Sequence, residues 1–595
     1  MCRIAGIIST QLQTEEIRKK VNIMCQALKH GGPDDEGIFC DEKANLVFGH
    51  RRLSIIDLSQ NGHQPMADVQ QRVWITFNGE IYNYPDLKEK LLNLGAKFHS
   101  GTDTEVIIQA YLHWGMAAFS KLRGMFAFAL YDVEKRLTYL VRDSSGVKPL
   151  YYHIKGGQLS FSSEVKALKK AGIANETDET WPVRFLAYGH IPEPYTTLKN
   201  VYSLSKGEFL CWHHDTCTYE MHSYHVVINE TPIIDVEEAK EAIQAALKFS
   251  VGRQLIADAP IGVFLSGGID SSLITLLANE EKKAQLKTIS IYFNEKAYDE
   301  RTYQTLVLKE IEGDKFAHLV KQEDFEEFLP QIIDDMDLPT TDGINTWFIS
   351  KYAHEDGLKA VLSGVGADEL FGGYPSFNRI KYLKSMRKIP TAIFTAANFF
   401  TSDRYKKISF LTYNHPLADY LLLRGHYTPA DIAQILDIDL SQVEGILFNN
   451  KQMPKISNYD EMDAAWFETN LYMQNQLLRD TDVMGMSHGL EVRVPFLDED
   501  FKRMTENIAP AIRFDEYQPK KLLIDSFKHI LPREVWDRSK MGFTFPLQQW
   551  MREHAEINNE SLYRGKKAKG IIKDFKSNTM HWSKVFALYQ IQMHV

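Results

Sequence analysis

Residues 261–265 (Ile-Gly-Val-Phe-Leu) form a short apolar run rich in branched side chains, the pattern of a strand buried on both faces. The run breaks at Ser266-Gly267-Gly268, and from Ser271 onward SSLITLLANEEKK has the length and spacing of a helix. Upstream, Asp235-Val236-Glu237-Glu238 has capping-box form, and Ala239, Ala242, Ile243, Ala246 and Leu247 follow at helical spacing. Residues 286–293 and 359–362 are two further buried-strand candidates. Strands alternating with helices predict a parallel sheet covered on both faces, with ligands at the carboxyl ends of its strands. From about 380 to 595 the pattern is mostly helical, interrupted at 489–498. At the other end of the chain, Arg3 to Ile8 reads as a strand. Residues 211–235 lose clear periodicity, gather polar residues and several histidines, and include Pro232, so they are read as a junction between two domains.

The break after residue 265 carries chemistry. A strand, a small-residue turn and a helix N-terminus make an anion site, because glycine lets the backbone approach and freed N–H groups point inward along the helix dipole. Leu265, Ser266, Gly267, Gly268, Ser271 and Ser272 are therefore the candidate phosphate-binding residues of this loop. Asp270 conflicts with a phosphate pocket unless a divalent cation lies between, and Mg²⁺ typically joins carboxylates to substrate phosphates. The second strand-to-loop transition, Ser363-Gly364-Val365-Gly366-Ala367-Asp368, adds Ser363 and Gly364 to the phosphate side and Asp368 as a second metal carboxylate. The plainer alternatives are an ordinary Gly-Gly turn and an acidic residue that merely starts a helix.

Composition narrows the field. The 595 residues are enough for two or more domains, and 25% charged with 44% apolar residues is an ordinary globular balance. A net charge of −10 argues against a nucleic-acid partner, and Lys566, Lys567 and Lys569 read as a solvated loop. Five cysteines without CxxC spacing give neither a zinc site nor a disulfide framework. No apolar run approaches a membrane span and no secretory leader is evident, so a cytoplasmic location is expected.

Cys2 follows the initiator directly. Removal of Met1 would leave it an α-amino group, a base of pKa near 8 beside a nucleophile. Downstream lie 49–57 (GHRRLSIID), 77–83 (FNGEIYN), 101–105 (GTDTE) and 124–132 (GMFAFALYD). Binding glutamine by its amino-acid end requires a cation for the carboxylate and a carboxylate for the ammonium, tasks suited to Arg52 and Asp103. Hydrolysing its side-chain amide passes through an oxyanion, which Asn78 and the Gly79 N–H could stabilise. Each piece alone has a bland reading, since Asn-Gly is a common hairpin turn.

Together these segments resemble known families. SGGIDSS resembles the pyrophosphate loop of the ATP pyrophosphatases, and residues 2 to about 210 look like the N-terminal-nucleophile, class II glutamine amidotransferase domain. The combination resembles the glutamine-hydrolysing asparagine synthetases of the bacterial type over nearly the whole chain. The resemblance implies an α/β protein: an αββα Ntn-hydrolase sandwich over 2–210, a linker over 211–235, and a doubly wound parallel-sheet ATP pyrophosphatase domain with a helical C-terminal part over 236–595. It implies Cys2 as nucleophile, and Arg52, Asn78, Gly79, Glu80 and Asp103 at the glutamine site. It also implies Lys540 against the phosphates and the transition state. The cofactors implied are ATP and Mg²⁺, the substrates glutamine and a carboxylate such as aspartate, and the assembly a homodimer.

Two positions depart from that pattern. His30-Gly31-Gly32-Pro33-Asp34 stands where the family commonly reads His-Arg-Gly-Pro-Asp, which is expected to loosen a glutamine-side loop. Val365 stands where the family commonly reads Ser-Gly-Glu-Gly, with that Glu beside the reacting carbonyl. An alternative acceptor, such as a sugar uronic acid or a secondary-metabolite precursor, therefore stays open. A binding protein that kept the fold and lost the chemistry is disfavoured by the joint presence of Cys2, Arg52, Asn78, Asp103, Asp270, Asp368 and Lys540.

Overall fold

The computed structural model describes residues 2–224, 231–399, 402–449, 456 and 458–594. Among them, the first part of the chain is built from Arg3–Ser9 (β1), Asp35–Asp41 (β2), Leu46–Arg52 (β3), Met66–Ala67 (β4), Val73–Ile81 (β5) and Gly124–Asp132 (β6). Leu137–Arg142 (β7), Tyr151–Lys155 (β8), Gln158–Ser162 (β9), Val201–Ser203 (β10), Glu208–His213 (β11) and Thr218–Ser223 (β12) complete it. The strands pair antiparallel as two sheets, β10-β8-β9-β1-β3-β2 and β12-β11-β7-β6-β5-β4. Period-two alternation sets the layers. Ile4 and Ile8 of β1 face the second sheet with Leu46, Phe48, Ala127, Ala129, Leu140 and Trp212. Ala5 and Ile7 face outward instead, against Ile17, Val21 and Met24 of the helix Thr14–Ala27. Helices Tyr84–Asn93 and Asp103–Trp114 cover the other outer face, where Leu91, Val106 and Ile107 pack on Ile75, Phe77 and Phe128. The result is the αββα order expected.

The junction expected at 211–235 is corrected at its start. β11 pairs with β7 and β12 with β11, so residues 208–223 are a hairpin of the second sheet. Trp212 is fully buried between the sheets, whereas every residue of β12 is exposed. An edge strand with both faces wet carries no burial alternation, which is why it read as loop. His213 and His222 flank Glu220 on this hairpin, and among the described residues no group of three metal-ligating side chains forms. Residues 225–230 of the expected linker lie outside the described residues. Beyond them, Ile233 bridges to Ile508 and belongs structurally to the second half.

That half is organised on Ile261–Phe264 (β13), Lys287–Tyr292 (β14), Asp314–Leu319 (β15), Ala360–Leu362 (β16) and Glu491–Arg493 (β17). All neighbours pair in parallel, in the order β15-β14-β13-β16-β17. Val263, Ala360 and Leu362 pack with helices Val236–Gln254 and Ile269–Lys282 on one face. Phe264, Ile289 and Val361 pack with helices Gln322–Asp335 and Ile344–Glu355 on the other. This is a doubly wound sheet, and the strand order reverses between β13 and β16, where such sheets bind ligands. Asp235 caps the helix Val236–Gln254 by accepting from the Glu238 N–H at 2.9 Å, as its capping box predicts. The helix after the Gly-Gly turn starts at Ile269, two residues before the expected Ser271. No helix among the described residues is long and apolar enough to cross a membrane.

Candidate functional site

At the first site, Cys2 lies directly before β1, buried, and its main-chain N–H donates to Asn78 Oδ1 at 3.2 Å. Asn78-Gly79 sits inside β5 and is not a hairpin turn. Burial frees no partner for the rest of that amide: Asn78 Nδ2 is buried without a hydrogen-bond acceptor, a donor held ready beside the thiol. Position 79 must be glycine because a Cβ there would lie 2.1 Å from the Met125 carbonyl oxygen across the β5–β6 ladder. Burial pushes the Cys2 thiol up to about 11, against the lowering effect of the chain terminus and Arg52. The thiol therefore stays protonated near neutrality and needs a base at the moment of attack.

Arg52, at the end of β3, is gripped by three carbonyls: Ser59 O at 3.0 Å, Ile56 O at 3.3 Å and Asp57 O at 2.5 Å. No carboxylate among the described residues pairs with it, which leaves its charge for a ligand. Asp103 begins the helix Asp103–Trp114, and its Oδ2 accepts from the Ile81 N–H at 2.9 Å. Burial raises its carboxyl to about 6 despite that bond. Glu80 faces the other half of the chain, with Oε1 at 3.5 Å from Arg493 NH2. Position 31 is closely packed. Gly31 is buried in the turn Lys29–Gly31, and a Cβ there would meet Arg3 Cγ at 2.8 Å.

The second site forms where the loops after β13 and β16 meet. Ser271 Oγ receives the Ser266 N–H at 3.1 Å and shares a hydrogen bond with Ser266 Oγ at 2.9 Å, folding the turn back onto the helix start. The Leu265 N–H continues the ladder to Ile289 O at 2.9 Å, and Gly267 takes φ +88°. Ser272 is fully buried, with its hydroxyl unpartnered. A Cβ at Gly364 would lie 2.9 Å from both Asp270 Cβ and Ser271 N, so the two loops touch only because that side chain is absent. Ser363 is held by its N–H on Arg493 O at 2.8 Å.

Asp270 and Asp368 meet here as expected, and a residue that the sequence did not flag holds them. Lys520 Nζ lies 2.6 Å from Asp270 Oδ2 and 2.6 Å from Asp368 Oδ1. Lys540 Nζ pairs with the same Asp368 oxygen at 2.6 Å and donates to Gly373 O at 2.9 Å. Burial opposes the charge of Asp368, but Lys520 and Lys540 outweigh it and hold the carboxyl down to about 2. Asp270 shares only Lys520 closely, and there burial prevails and the carboxyl is raised. Asp270 Oδ1 remains buried with no partner. A second unforeseen cation, Arg538, ties Gly267 O at 3.0 Å to Glu300 at 2.7 Å and so braces the turn. Lys520 lies 250 positions from Asp270 and Arg538 lies 271 from Gly267, and lone cations so far from their partners leave no local signal.

The sites are joined by buried polar contacts. Arg3, next to Cys2, binds Glu164 at 2.7 Å and Asp482 at 2.7 Å, and Lys148 reaches the other Asp482 oxygen at 2.7 Å. Asp482 lies on the helix Arg479–Met486, which continues a π-helical stretch, Glu468–Leu478. From that stretch Asn475 Oδ1 accepts from the Glu193 N–H at 2.8 Å, and Gln476 meets His190 at 3.2 Å.

Comparison with known proteins agrees with this two-part build. Residues 1–225 match the glutamine amidotransferase domain family and residues 242–579 the asparagine synthase family. The chain is 32% identical over 578 residues to "Asparagine synthetase [glutamine-hydrolyzing] 1" of Bacillus subtilis (strain 168), covering 93% of this chain and 88% of that protein. It is 28% identical over 568 residues to "Asparagine synthetase [glutamine-hydrolyzing] 3" of the same strain, covering 91% and 87%. It is 26% identical over 597 residues to "Amidase chry2" of Gibberella zeae, covering 90% and 86%. The chain belongs to the asparagine synthase family and is a ligase that uses ATP and glutamine to form an amide.

Lys520→Met removes the cation shared by two carboxylates. A hydrogen bond to a charged group is worth about 1.5–3 kcal/mol, so ATP-dependent pyrophosphate release should fall roughly 10- to 100-fold. Glutamate formation from glutamine should persist. Pyrophosphate release at the parent rate would remove Lys520 from the site.

Proposed function

We propose that this member of the asparagine synthase family makes asparagine from aspartate, using ammonia cut from glutamine at one site and ATP at the other. The observation that supports the synthetic half best is the meeting of Asp270 and Asp368, from the two loops at the strand-order reversal, on one Lys520 ammonium. In the first site Arg52 takes the glutamine carboxylate, while Asp103 and Glu80 take its ammonium. Cys2 Sγ attacks the side-chain amide carbon, with its proton passing to the α-amino group freed by loss of Met1. Asn78 Nδ2 and the Gly79 N–H hold the oxyanion. The α-amino group gives that proton to the amide nitrogen as the C–N bond breaks, ammonia leaves, and water releases glutamate from the thioester and restores the thiol.

In the second site the aspartate side-chain carboxylate attacks the α-phosphorus of ATP and displaces pyrophosphate, giving an acyl-adenylate. Ammonia attacks that carbonyl and AMP departs. Ser266, Gly267, Gly268, Ser271 and Ser272 cradle the phosphates at the helix start with Leu265, Ser363 and Gly364 framing the turn. Lys540 lies against the departing charge. The unpartnered Asp270 Oδ1 and the neighbouring Asp368 fit a Mg²⁺ ion, which when bound neutralises phosphate charge. Only these carboxylates and the lysines beside them are assigned to that task.

One observation favours a second acceptor. Val365 packs against the apolar cluster that holds Ala367, Phe496 and Leu497 and offers no proton acceptor where the family commonly has Glu. That wall suits an acid with apolar bulk. A relative carrying the name amidase matches almost the whole chain and keeps this reading open.

Two experiments test these readings. Cys2→Ala should abolish amide formation from glutamine and leave formation from ammonium salts; equal loss with both nitrogen sources would overturn the division of labour. Val365→Glu should raise turnover with aspartate if aspartate is the native acceptor, read as amide formation across a panel that includes sugar uronic acids. Strong parental turnover of aspartate that falls on installing Glu would show that Val365 is no handicap for aspartate chemistry.

A further inference from the structure

Arg493 touches residues of both sites, Glu80 at 3.5 Å and the Ser363 N–H at 2.8 Å. Its side chain is fully buried at the end of β17. Nε binds Glu491 Oε1 at 2.5 Å, and NH1 donates to Gln254 O at 2.6 Å and Ile256 O at 2.8 Å. Those two carbonyls belong to the segment that runs directly into β13 and the Ser266-Gly267-Gly268 turn. Its own carbonyl accepts the Ser363 N–H of the second loop at 2.8 Å. The remaining nitrogen, NH2, is buried without a hydrogen bond and faces Glu80 at 3.5 Å, longer than a charge-assisted hydrogen bond of about 2.8 Å. Glu80 follows Asn78-Gly79 on the strand that lines the thiol.

The glutamine side meets the same segment a second time. The Asp57 N–H donates to Asp258 Oδ2 at 2.8 Å, and Ile55 O accepts from the Asp258 and Ala259 N–H groups at 2.9 and 3.2 Å. Ile56, Asp57 and Ser59 are the carbonyls that grip Arg52. Arg52, through its loop, and Glu80, through Arg493, thus rest on residues 254–259, immediately before β13.

We propose that Arg493 is the positioning residue that links the ATP loops to the glutamine site. Glu80 is held loosely by NH2 while the loops are at rest. A shift of Ser363 or of residues 254–259 moves the guanidinium and so moves Glu80, which sets how glutamine lies against Cys2. The inference rests on the proposed glutaminase site and adds its dependence on the state of the second site.

The test compares Arg493→Lys, which keeps the charge and loses the fork, with the pair Arg493→Met and Glu491→Gln, which removes both charges together so that Glu491 is not left as an unpaired carboxylate. Glutamate and pyrophosphate are measured with glutamine, ATP and acceptor, and synthesis is measured again with ammonium salts. Both variants should keep ammonium-dependent synthesis, and the glutamate formed per pyrophosphate should rise about fivefold or more, the lower range of site-to-site coupling. Glutamate formation should also lose any response to ATP and acceptor, with the change falling on turnover and not on the KM for glutamine. A parent-like ratio in a folded variant, or proportional loss with both nitrogen sources, would overturn the proposal. A parent enzyme that forms no glutamate would instead defeat the glutaminase reading itself.

Discussion

Asp482 is the point at which the two halves of the chain are locked in one orientation. Arg3 and Lys148, both from the sandwich, close on its two oxygens, and all three side chains are essentially without solvent. Burial alone would raise the Asp482 carboxyl, but Arg3 and then Lys148 outweigh it and hold it down. Such a group is expensive to disturb, because removing one partner strands a buried charge at a cost of about 3–5 kcal/mol. Its return is geometric. Arg3 follows Cys2 in the chain, so anchoring Arg3 to a helix of the second half fixes where the thiol sits relative to the ATP loops.

Around that lock, directional polar contacts are added to apolar ones, with Leu53, Ile55 and Val147 of the sandwich buried in a core cluster of the second half. Glu164 gathers Arg3, His30 and Lys166, while Asp337 accepts the Val165 and Lys166 N–H groups at 2.7 and 2.8 Å. Arg123 reaches Asp500 at 3.1 Å, and Lys359 reaches Asp34 at 2.6 Å. Apolar contact would hold the halves together in many registers; paired charges and main-chain hydrogen bonds favour one. One register is what an enzyme needs if ammonia released beside Cys2 is to be used at the adenylate before it becomes ammonium, which is no nucleophile.

Much of this was legible in residue order. Short apolar runs located β13, β14 and β16 to within a residue or so, because strands buried on both faces need continuous apolar side chains. Asp235 and Glu238 announced their helix through chemistry confined to one turn. The site motifs were readable for a related reason: a turn that cradles phosphate, or a thiol beside the amino terminus, is built from neighbouring residues. What escaped depends on distance or on the lack of burial. β12 is wet on both faces and shows no alternation. Lys520, Arg538 and Arg493 are single cations among 68 lysines and arginines, and each gains meaning only when the fold brings a carboxylate or loop to it. Glu80 was expected to serve glutamine alone, and its position against Arg493 could not be read without β17 beside it.

We propose that the two sites work as one, with nitrogen passing between them inside the protein. Synthesis from glutamine labelled with ¹⁵N in the side-chain amide, run in the presence of excess unlabelled ammonium, measures this directly. Mass analysis of the amide product should show it carrying ¹⁵N with little dilution as unlabelled ammonium rises. Product label falling to the isotopic composition of the medium would mean that ammonia escapes and returns, and would contradict the account.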